Sequence, residues 1–553
     1  MTPRKKAPKK TQANKSEGER RGASPYLYYG LLLLVVLLFA LVRFRLREIP
    51  LERDEGEYAY AGQLMLQGIP PYELAYNMKL PGTYAAYAGV LAIFGQTPAG
   101  IHVGLILINA VTTLLVFLLG EKLFGRLGGM VAAASYALLS TSPSVLGFQG
   151  HATHFVVVFA IAGILLLLKA LESSKSLLFF SSGLLLGLAF LMKQPGVFFI
   201  LFAVLYVARR RLIPPVNWKS LVVSTGTLIV GASLPFLLTC LLLLRAGVFR
   251  RFWFWTVSYG IQYGTREKLV DGFKLFQPMF ADVVGPAAWI WMIAALGLTA
   301  VVWSGRARAN AFFTISFLLF SFLAVCPGLY FRAHYFILML PAVAILTGMA
   351  VTCAKEKLSG WHGTRILSAT PVLLFLVAFS YSIFQQREFL FQMDPLEACD
   401  NLYGLTPFPA AIKIAKYVKS HSPEGSTIAV LGSEPEIYFY SHRRSATGYI
   451  YTYPLLEPQK YALDMQTEMI AEIERARPAF LVLVNVPNSW IAFTSIASPQ
   501  GLLNWAQNYV HEHYVMDGVA ELGNVTSFHW GDEARSYQPH SPFTIYVFKR
   551  TSP

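Results

Sequence analysis

The sequence predicts a polytopic α-helical membrane protein that carries a small α/β domain at its carboxyl end. Hydrophobic residues make up 55% of the 553-residue chain and charged residues only 14%, too few to cover the surface of a soluble protein of this length. Several apolar stretches approach the roughly 20 residues that a helix needs to cross a bilayer. After residue 384 the pattern changes to short alternating strands and helices, which is typical of an α/β domain.

Length and hydropathy predict about 11 membrane crossings. The segment Lys193-Gln194-Pro195-Gly196 interrupts one apolar region, so we expect either two short helices that meet at the outer face or one broken helix. The predicted spans are residues 26–42, 99–119, 127–145, 155–170, 178–192, 195–208, 220–244, 284–304, 310–328, 334–354 and 366–384.

Charge predicts the orientation of these spans. Residues 1–25 hold eight lysines and arginines, which predicts a disordered cytoplasmic tail attracted to anionic lipid. With the amino terminus inside, every predicted inner loop is basic, so the net charge of +15 indicates membrane lipids and not nucleic acid as the partner. An odd number of crossings then places residues 385–553 outside. The predicted membrane domain is 26–384, with a large first outer loop at 44–98.

Two basic groups do not follow this charge pattern, because they lie on the predicted outer side. Binding of lipid phosphate would explain them, and snorkelling of the side chains to outer headgroups is the alternative. One group follows the first span and the other follows the seventh: Arg43, Arg45 and Arg47, then Arg245, Arg250 and Arg251.

The carboxyl-terminal pattern predicts five elements of the outer domain. Helices are expected at 410–420 and 468–475, and strands at 427–431, 479–484 and 544–548. No glycine-rich nucleotide-binding fingerprint follows any of these strands, so we do not expect a nucleotide site.

The first outer loop holds the most informative charged residues. Asp54 and Glu55 are adjacent carboxylates beside Arg53, and Lys79 follows in the same loop. A carboxylate placed there can take the proton from an acceptor hydroxyl or amine. A lysine can neutralise a departing phosphate. The alternative is a charged loop that makes only surface salt bridges.

These residues carry a resemblance to the C-type glycosyltransferase (GT-C) fold. An Asp-Glu pair after the first span, a Tyr-Ala helix, a Gly-x-Pro turn and a Lys-x-Pro segment resemble bacterial aminoarabinose transferases and protein O-mannosyltransferases, which use polyprenyl-phosphate sugars. Lys193-Gln194-Pro195-Gly196 resembles a Lys-Gly-type turn of those enzymes, and Arg332-Ala333-His334-Tyr335-Phe336 resembles their Arg-x-x-Tyr stretch. The resemblance covers most of residues 26–384. Lys79 departs from it, because Leu-Pro-Gly follows where Pro-Pro is common.

The resemblance implies roles for individual residues. Asp54 would be the catalytic base, and Glu55 would orient the acceptor or a metal. The donor phosphate would be bound by Lys79, with Arg53, Lys193 and Arg332 as further candidates. The candidates for substrate contact are Tyr58, His334 and Tyr335, with a purely structural role as the alternative for His334. No cofactor is required by the sequence, and a divalent metal is an open possibility.

The activity that the resemblance implies is a single inverting displacement at the outer membrane face. The acceptor, which could be a lipid, a protein or a glycan, attacks the anomeric carbon while the polyprenyl phosphate leaves. Such an enzyme is expected in the inner membrane of a bacterium, where it would act on the cell envelope. The alternative is a transporter or flippase of a lipid-linked or anionic substrate. Charges in outer loops, with no internal repeat, favour the enzyme.

Two further groups have open interpretations. His151 and His154 are three residues apart and on a helix would share a face, which could join a metal site. The sequence shows no partner carboxylate for them, so we interpret them as polar contacts at the membrane edge. The aromatic stretch 252–255, with Tyr259 and Tyr263, belongs to an interfacial belt or lines a groove for the polyprenyl tail or a sugar.

Overall fold

A computed structural model describes residues 25–360, 365–490, 501–523 and 525–551. The predicted basic tail at residues 1–25 lies outside these ranges, except for Pro25. Within them the chain has a helical membrane part and a carboxyl-terminal part built around one mixed sheet. This arrangement confirms the predicted fold class.

The membrane part contains a helix at the position of every predicted span. By length and composition, six helical segments of the described chain can cross a membrane. The bounds of the helices are α1 (Pro25–Arg45), α2 (Arg53–Leu66), α3 (Gly82–Phe94), α4 (Pro98–Ser140), α5 (Ala152–Ser173), α6 (Ser176–Met192), α7 (Val197–Arg211), α8 (Trp218–Arg245), α9 (Phe249–Trp253), α10 (Gly260–Gly264), α11 (Leu269–Val284), α12 (Ala288–Trp303), α13 (Gly305–Ala309), α14 (Ala311–Val325), α15 (Leu340–Gly360) and α16 (Arg365–Gln385).

Breaks in two of these helical regions follow from their sequences. Helix α4 is 43 residues long and kinks at Gly125, whose φ of 77° is left-handed, so its two arms correspond to two predicted spans. The Lys193–Gly196 segment separates α6 from α7, with a short 3₁₀ turn at Gln194–Gly196. The alternative of two short helices is therefore the observed one. Helices α3 and α11 were not predicted, because α3 has only 13 residues and α11 carries charged side chains.

The carboxyl-terminal part holds a six-stranded sheet in the order β2-β1-β3-β6-β4-β5. Strand β1 pairs in parallel with β2 and β3, and the other pairs are antiparallel. The strands are β1 (Thr427–Leu431), β2 (Arg444–Ser445), β3 (Phe480–Asn485), β4 (Tyr514–Glu521), β5 (Ser527–Trp530) and β6 (Thr544–Arg550). The helices are α17 (Arg387–Phe391), α18 (Pro395–Tyr403), α19 (Phe408–His421), α20 (Glu436–Ser441), α21 (Tyr453–Leu456), α22 (Ala462–Ala476), α23 (Gly501–His513) and α24 (Asp532–Ser536).

All five elements predicted for this part are present, and β4 is the main strand that was missed. Strands β1 and β3 are short, buried apolar runs, which the sequence shows directly. Strand β4 is interrupted by Asp517 and Gly518, where its pairing with β6 also shifts register. The pattern of β4 therefore resembles a loop more than a strand.

The first outer loop packs directly against the sheet domain. Helix α2 crosses the start of α20 at Gly56, where the β-carbon of any larger residue would lie only 2.7 Å from the backbone nitrogen of Glu436. The Tyr60 hydroxyl accepts a hydrogen bond from the Ser445 backbone at 2.7 Å. The Tyr76 backbone nitrogen donates to the Gly448 carbonyl, also at 2.7 Å. The sheet domain therefore fixes the position of the loop that carries Asp54.

Two of the arginines after the first span, Arg43 and Arg45, bind backbone carbonyls of the protein. Arg43 is buried and donates to the carbonyls of Ser140 at 2.6 Å and Gly147 at 2.5 Å. Arg45 donates to the carbonyls of Phe389, Leu390 and Met393. Carbonyls at helix ends lack partners within their own helix, and these guanidinium groups supply the donors. Neither lipid-phosphate binding nor snorkelling therefore accounts for Arg43 and Arg45.

Candidate active site

The centre of the site is an ion pair between Asp54 and Lys79. Asp54 lies in the first turn of α2, which begins after Glu52, whose carboxylate accepts from the Glu55 backbone at 2.9 Å. The Lys79 Nζ atom lies 2.7 Å from Asp54 Oδ1 and 2.7 Å from Glu57 Oε2. Both Asp54 and Lys79 are about a quarter exposed, whereas the Glu57 side chain is fully buried. The pair is therefore the part of this network that a substrate can reach.

The surroundings keep both members of the pair charged. Burial alone would raise the pKa of Asp54, but the Lys79 ammonium holds it well below its usual value. Burial alone would lower the pKa of Lys79, but Asp54 and Glu57 raise it well above the ordinary lysine value. Burial raises the pKa of Glu57, although Lys79 offsets part of this effect.

The second oxygen of Asp54 faces two histidines. Asp54 Oδ2 lies 3.9 Å from His151 Nδ1 and 3.9 Å from His334 Nε2. The two imidazole rings stack with centroids 4.0 Å apart. Burial lowers the pKa of His151 to about 4 and that of His334 well below its ordinary value, so both rings are neutral at pH 7.

These three side chains could hold a divalent metal. One ligand atom from each of Asp54, His151 and His334 lies within 4.8 Å of the others. Neither ring nitrogen of His151 has a hydrogen-bond partner among the described residues, although the side chain is buried. Two neutral imidazoles with a carboxylate are donors that suit Zn²⁺ and similar ions. His154 is not part of the cluster, since His151 precedes the first residue of α5 and the two do not share a helical face.

Two more cations, Lys193 and Arg332, lie close enough to Asp54 to interact with its charge. The Lys193 Nζ atom lies 4.0 Å from the ring centroid of Tyr335. Burial lowers the pKa of Lys193 to about 7. The next residue, Gln194, donates to the Met78 carbonyl at 2.7 Å, so the turn between α6 and α7 is held beside Lys79. Arg332 is exposed and interacts with the Tyr263 hydroxyl.

Glu55 and Tyr58, which were singled out from the sequence, contact other parts of the protein. Glu55 is fully buried and accepts from the Gly150 backbone at 2.5 Å and from His102 at 3.1 Å. It therefore anchors the loop that carries His151 and does not face the open side of Asp54. Tyr58 is 2% exposed and lies beneath Lys79, whose Nζ is 4.5 Å from its ring centroid.

Arg53 joins the first outer loop to the sheet domain. Its guanidinium donates to the Ser433 carbonyl at 2.5 Å and to Glu434 Oε1 at 3.0 Å, and the Glu434 side chain is fully buried. The segment after β1 therefore packs against the first outer loop.

Sequence reasoning missed Tyr451 and Glu57. The Tyr451 hydroxyl donates to the Arg53 carbonyl at 2.9 Å and lies 3.3 Å from Asp54 Oδ1. Tyr451 comes from the sheet domain, about 400 residues further along the chain, and no local motif marks it. Glu57 accepts from Lys79, Asn77 and Tyr84. Its position three residues after Asp54 places both on one face of α2, which is a signal that could have found it.

Comparison with known proteins supports the fold. Residues 79–238 match the family described as dolichyl-phosphate-mannose-protein mannosyltransferase. ArnT from Cupriavidus metallidurans bound to undecaprenyl phosphate superposes with a TM-score of 0.57 at 16% identity, covering 86% of this chain and 96% of ArnT. For ArnT in its apo state the TM-score is 0.56 at 16% identity, and the alignment covers 95% of this chain and 98% of ArnT.

A more distant similarity is to the Archaeoglobus fulgidus oligosaccharyltransferase in complex with Zn and sulfate. The TM-score is 0.50 at 13% identity, and the alignment covers 91% of this chain and 73% of that enzyme. No curated protein matches the sequence. The chain is therefore an integral membrane protein of the C-type glycosyltransferase fold, as its motifs predicted. Within that fold, residues 79–238 relate it to the protein mannosyltransferases.

Proposed function

We propose that the protein is an inverting glycosyltransferase that moves a sugar from a polyprenyl-phosphate donor to an acceptor at the outer face of the membrane. The observation that carries this proposal is the charged, partly open Asp54–Lys79 pair in a C-type glycosyltransferase fold. The pair puts a base and a phosphate-binding cation within 2.7 Å of each other. In an inverting transfer the acceptor attacks the face of the anomeric carbon opposite the leaving phosphate, so the base and the cations that hold the phosphate act on opposite faces of that carbon.

Asp54 is the proposed base. Its low pKa keeps it ionised, so it can accept a hydrogen bond from the acceptor group and take its proton as the new glycosidic bond forms. Tyr451 and Lys79 hold Oδ1, which leaves Oδ2 as the oxygen that can face the acceptor. The pairing with Lys79 therefore both orients the carboxylate and keeps it charged.

The leaving phosphate is the proposed ligand of the three cations. The bond from the anomeric carbon to the phosphate oxygen breaks, and its electrons go to a phosphate that departs as a weak base. Lys79, Lys193 and Arg332 lie around the open side of Asp54 and can stabilise that charge without a general acid. Tyr335 supports Lys193 through its ring face, so its proposed role is to position that cation.

Asp54 Oδ2, His151 and His334 are the proposed ligands of a divalent metal, and Oδ2 keeps a second lone pair that can accept a hydrogen bond from the acceptor group. When bound, the metal would polarise an acceptor or donor oxygen and lower the pKa of a coordinated hydroxyl. Lys79 can stay on Oδ1, because the two oxygens of Asp54 face opposite partners. The neutral state of both histidines keeps their nitrogens available at pH 7.

The location and specificity of the enzyme are part of the proposal. We place it in a bacterial inner membrane with the amino terminus in the cytoplasm and residues 385–553 outside, above a catalytic membrane domain at 26–384. The basic inner loops support this orientation. The transferred sugar would be a hexose or a pentose, and the acceptor a lipid, a protein or a glycan. The transporter alternative gains no support from the site, because its charges lie outside the long apolar helices.

The test is donor consumption by the purified full chain in lipid nanodiscs. A panel of polyprenyl-phosphate hexoses and pentoses would be offered with mixed lipid and glycan acceptors to the wild type and to Asp54→Asn. We expect turnover by the wild type to fall about 100-fold or more in the variant. Glu73→Gln, an exposed acid in the same loop, is the matched control. Equal turnover by wild type and Asp54→Asn would reject Asp54 as the base.

A further inference from the structure

A cavity lies beside the active site, between the membrane part and the sheet domain. It has a volume of about 210 Å³. Helix α10 and the turns next to it form one side, and the segment after α21 forms the other. The lining residues are Tyr259, Gln262, Tyr263, Arg266, Glu457, Pro458 and Gln459.

Hydrogen bonds and an ion pair hold the walls of the cavity in place. Glu457 is 6% exposed and is held at both oxygens, by the Tyr259 hydroxyl at 2.9 Å and by Arg266 at 3.2 Å. Tyr259 ends a π-helical stretch, Phe254–Tyr259, and such stretches are rare and concentrate at functional sites. The aromatic residues Phe252, Trp255 and Tyr259 are at most 2% exposed, so they pack inside the protein and are not part of an interfacial belt.

One polar group on the cavity wall lacks a partner. The Gln262 side-chain oxygen is buried, and no described residue donates a hydrogen bond to it. Buried carbonyl oxygens are nearly always hydrogen-bonded, so a ligand hydroxyl that donates to this oxygen would satisfy it. Three of the other six lining residues are tyrosines or a proline, and they lie beside a charged guanidinium, so the cavity combines apolar surface with hydrogen-bond donors.

These features fit a sugar ring better than other ligands. Aromatic faces pack against the C–H faces of a pyranose, while amide and guanidinium groups bind its hydroxyls. The volume is below the roughly 300–1,000 Å³ of drug-sized ligand sites, which suits one monosaccharide and not a lipid chain. The paired charges of Arg266 and Glu457 leave no net charge to attract a free phosphate.

The position of the cavity shows which sugar it would hold. Tyr263 forms part of its wall, stacks on Tyr330 with ring centroids 4.8 Å apart, and reaches Arg332 at the edge of the active site. The sugar that is transferred must lie against Asp54, on the other side of Arg332. A ring in this cavity is therefore next to the reacting sugar and separate from it.

We propose that this cavity binds one pyranose ring of a glycan that is not the transferred sugar, with Gln262 as the hydrogen-bond acceptor and Tyr263 as the stacking face. The ring belongs either to an acceptor glycan or to a donor that carries more than one sugar. Its assignment to a substrate rests on the proposed function, whereas the binding of a sugar there does not.

The first experiment measures binding alone. Methyl glycosides of glucose, mannose, galactose and N-acetylglucosamine would be titrated into the full chain in nanodiscs, with saturation-transfer NMR as the readout. We expect millimolar binding of at least one glycoside, at least about 10-fold weaker in Gln262→Leu, which keeps the side-chain size but removes the acceptor. Gln262→Trp should fill the cavity and abolish binding. Ile261→Ala, on the same helix but 61% exposed, is the control.

The outcomes separate this inference from the proposed function. Asp54→Asn should bind the glycosides normally even though it transfers no sugar. Lack of binding by the wild type, or equal binding by Gln262→Leu, would overturn the inference whatever the transfer activity is.

The second experiment distinguishes the two sources of the ring. Transfer rates would be compared for acceptors with one or two sugars and for donors with one or two sugars, in wild type and Gln262→Leu. A loss confined to the two-sugar acceptor assigns the cavity to the acceptor, and a loss confined to the two-sugar donor assigns it to the donor. Unchanged rates in all four reactions would overturn the assignment to a substrate.

Discussion

Asp54 Oδ1 lies 2.7 Å from Lys79 Nζ, although the two residues are 25 positions apart in the chain and each charge would be destabilised by burial alone. In this partly enclosed site each charge offsets the desolvation cost of the other. In the proposed mechanism the pair therefore couples base strength to phosphate binding, and we expect changes to either residue to affect both.

Replacement of Lys79 should shift the pH dependence of the reaction. Lys79 holds the pKa of Asp54 well below its usual value, so the base form persists into acid solution. In Lys79→Met no ammonium group offsets the effect of burial, so the pKa of Asp54 rises. The acidic limb of the kcat/KM profile should therefore move to higher pH. The rate at pH 7 should fall by about 100-fold or more, since a phosphate-binding cation is also lost. An acidic limb at the wild-type pH would show that Asp54 is not the titrating base.

Donor affinity should fall as the pH rises through the pKa of Lys193. Burial lowers this pKa to about 7, so Lys193 is charged below that pH and increasingly neutral above it. Binding of a polyprenyl-phosphate sugar, a phosphodiester whose charge is constant over this range, should therefore weaken with rising pH, as measured by microscale thermophoresis between about pH 6 and pH 8.5. Lys193→Arg should remove most of this dependence, because arginine stays charged. The same slope in both proteins would assign the dependence to another group.

Tyr451→Phe should lower kcat with little change in the KM for the donor. The hydroxyl lies 3.3 Å from Asp54 Oδ1 and 2.9 Å from the Arg53 carbonyl, so it positions the base without touching the leaving phosphate. Loss of one hydrogen bond to a charged group predicts a decrease in kcat of about 10-fold to 100-fold. A decrease that appears only in KM would contradict a positioning role. Thermal unfolding of both proteins controls for loss of structure.

Metal content should depend on His151. After dialysis against Zn²⁺ and then against metal-free buffer, we expect the wild type to retain about one equivalent by elemental analysis, and His151→Ala to retain little. His511→Ala, an exposed histidine of the sheet domain, should match the wild type. Equal zinc in wild type and His151→Ala would remove His151 from the proposed ligands.

Separation of Arg53 from Glu434 should destabilise the contact between the first outer loop and the sheet domain. The Glu434 side chain is fully buried, so Arg53→Met leaves a buried carboxylate without its cation, at a cost of about 3–5 kcal/mol. The double variant Arg53→Met/Glu434→Gln should recover part of this loss. Chemical denaturation of the full chain in detergent measures the stability of the single and the double variant. Equal stability of Arg53→Met and wild type would show that the pair contributes little.

Local patterns account for what could be predicted of the fold. The apolar spans, the break at Lys193–Gly196 and the strands β1 and β3 are each visible within a short window of sequence. Strand β4 was not, because Asp517 and Gly518 interrupt its pattern and its pairing with β6 and β5 stabilises it. Glu55 was predicted to orient the acceptor or a metal beside Asp54, and its burial could not be foreseen for a related reason, since adjacent residues on a helix point in different directions and the sequence does not say which one is exposed.

By itself the sequence determined the membrane class, the helical positions, the resemblance to C-type glycosyltransferases and the choice of Asp54 and Lys79. Hydropathy and local motifs carry that information, because they depend on residues near one another in the chain. Only the tertiary structure decided that His151 meets His334, that Tyr451 reaches Asp54, and that Arg43 binds carbonyls instead of lipid. Those contacts join segments that are about 100–400 residues apart. Whether residues so far apart in the chain meet in space depends on how the helices and the sheet pack together. No single segment of the sequence encodes that packing.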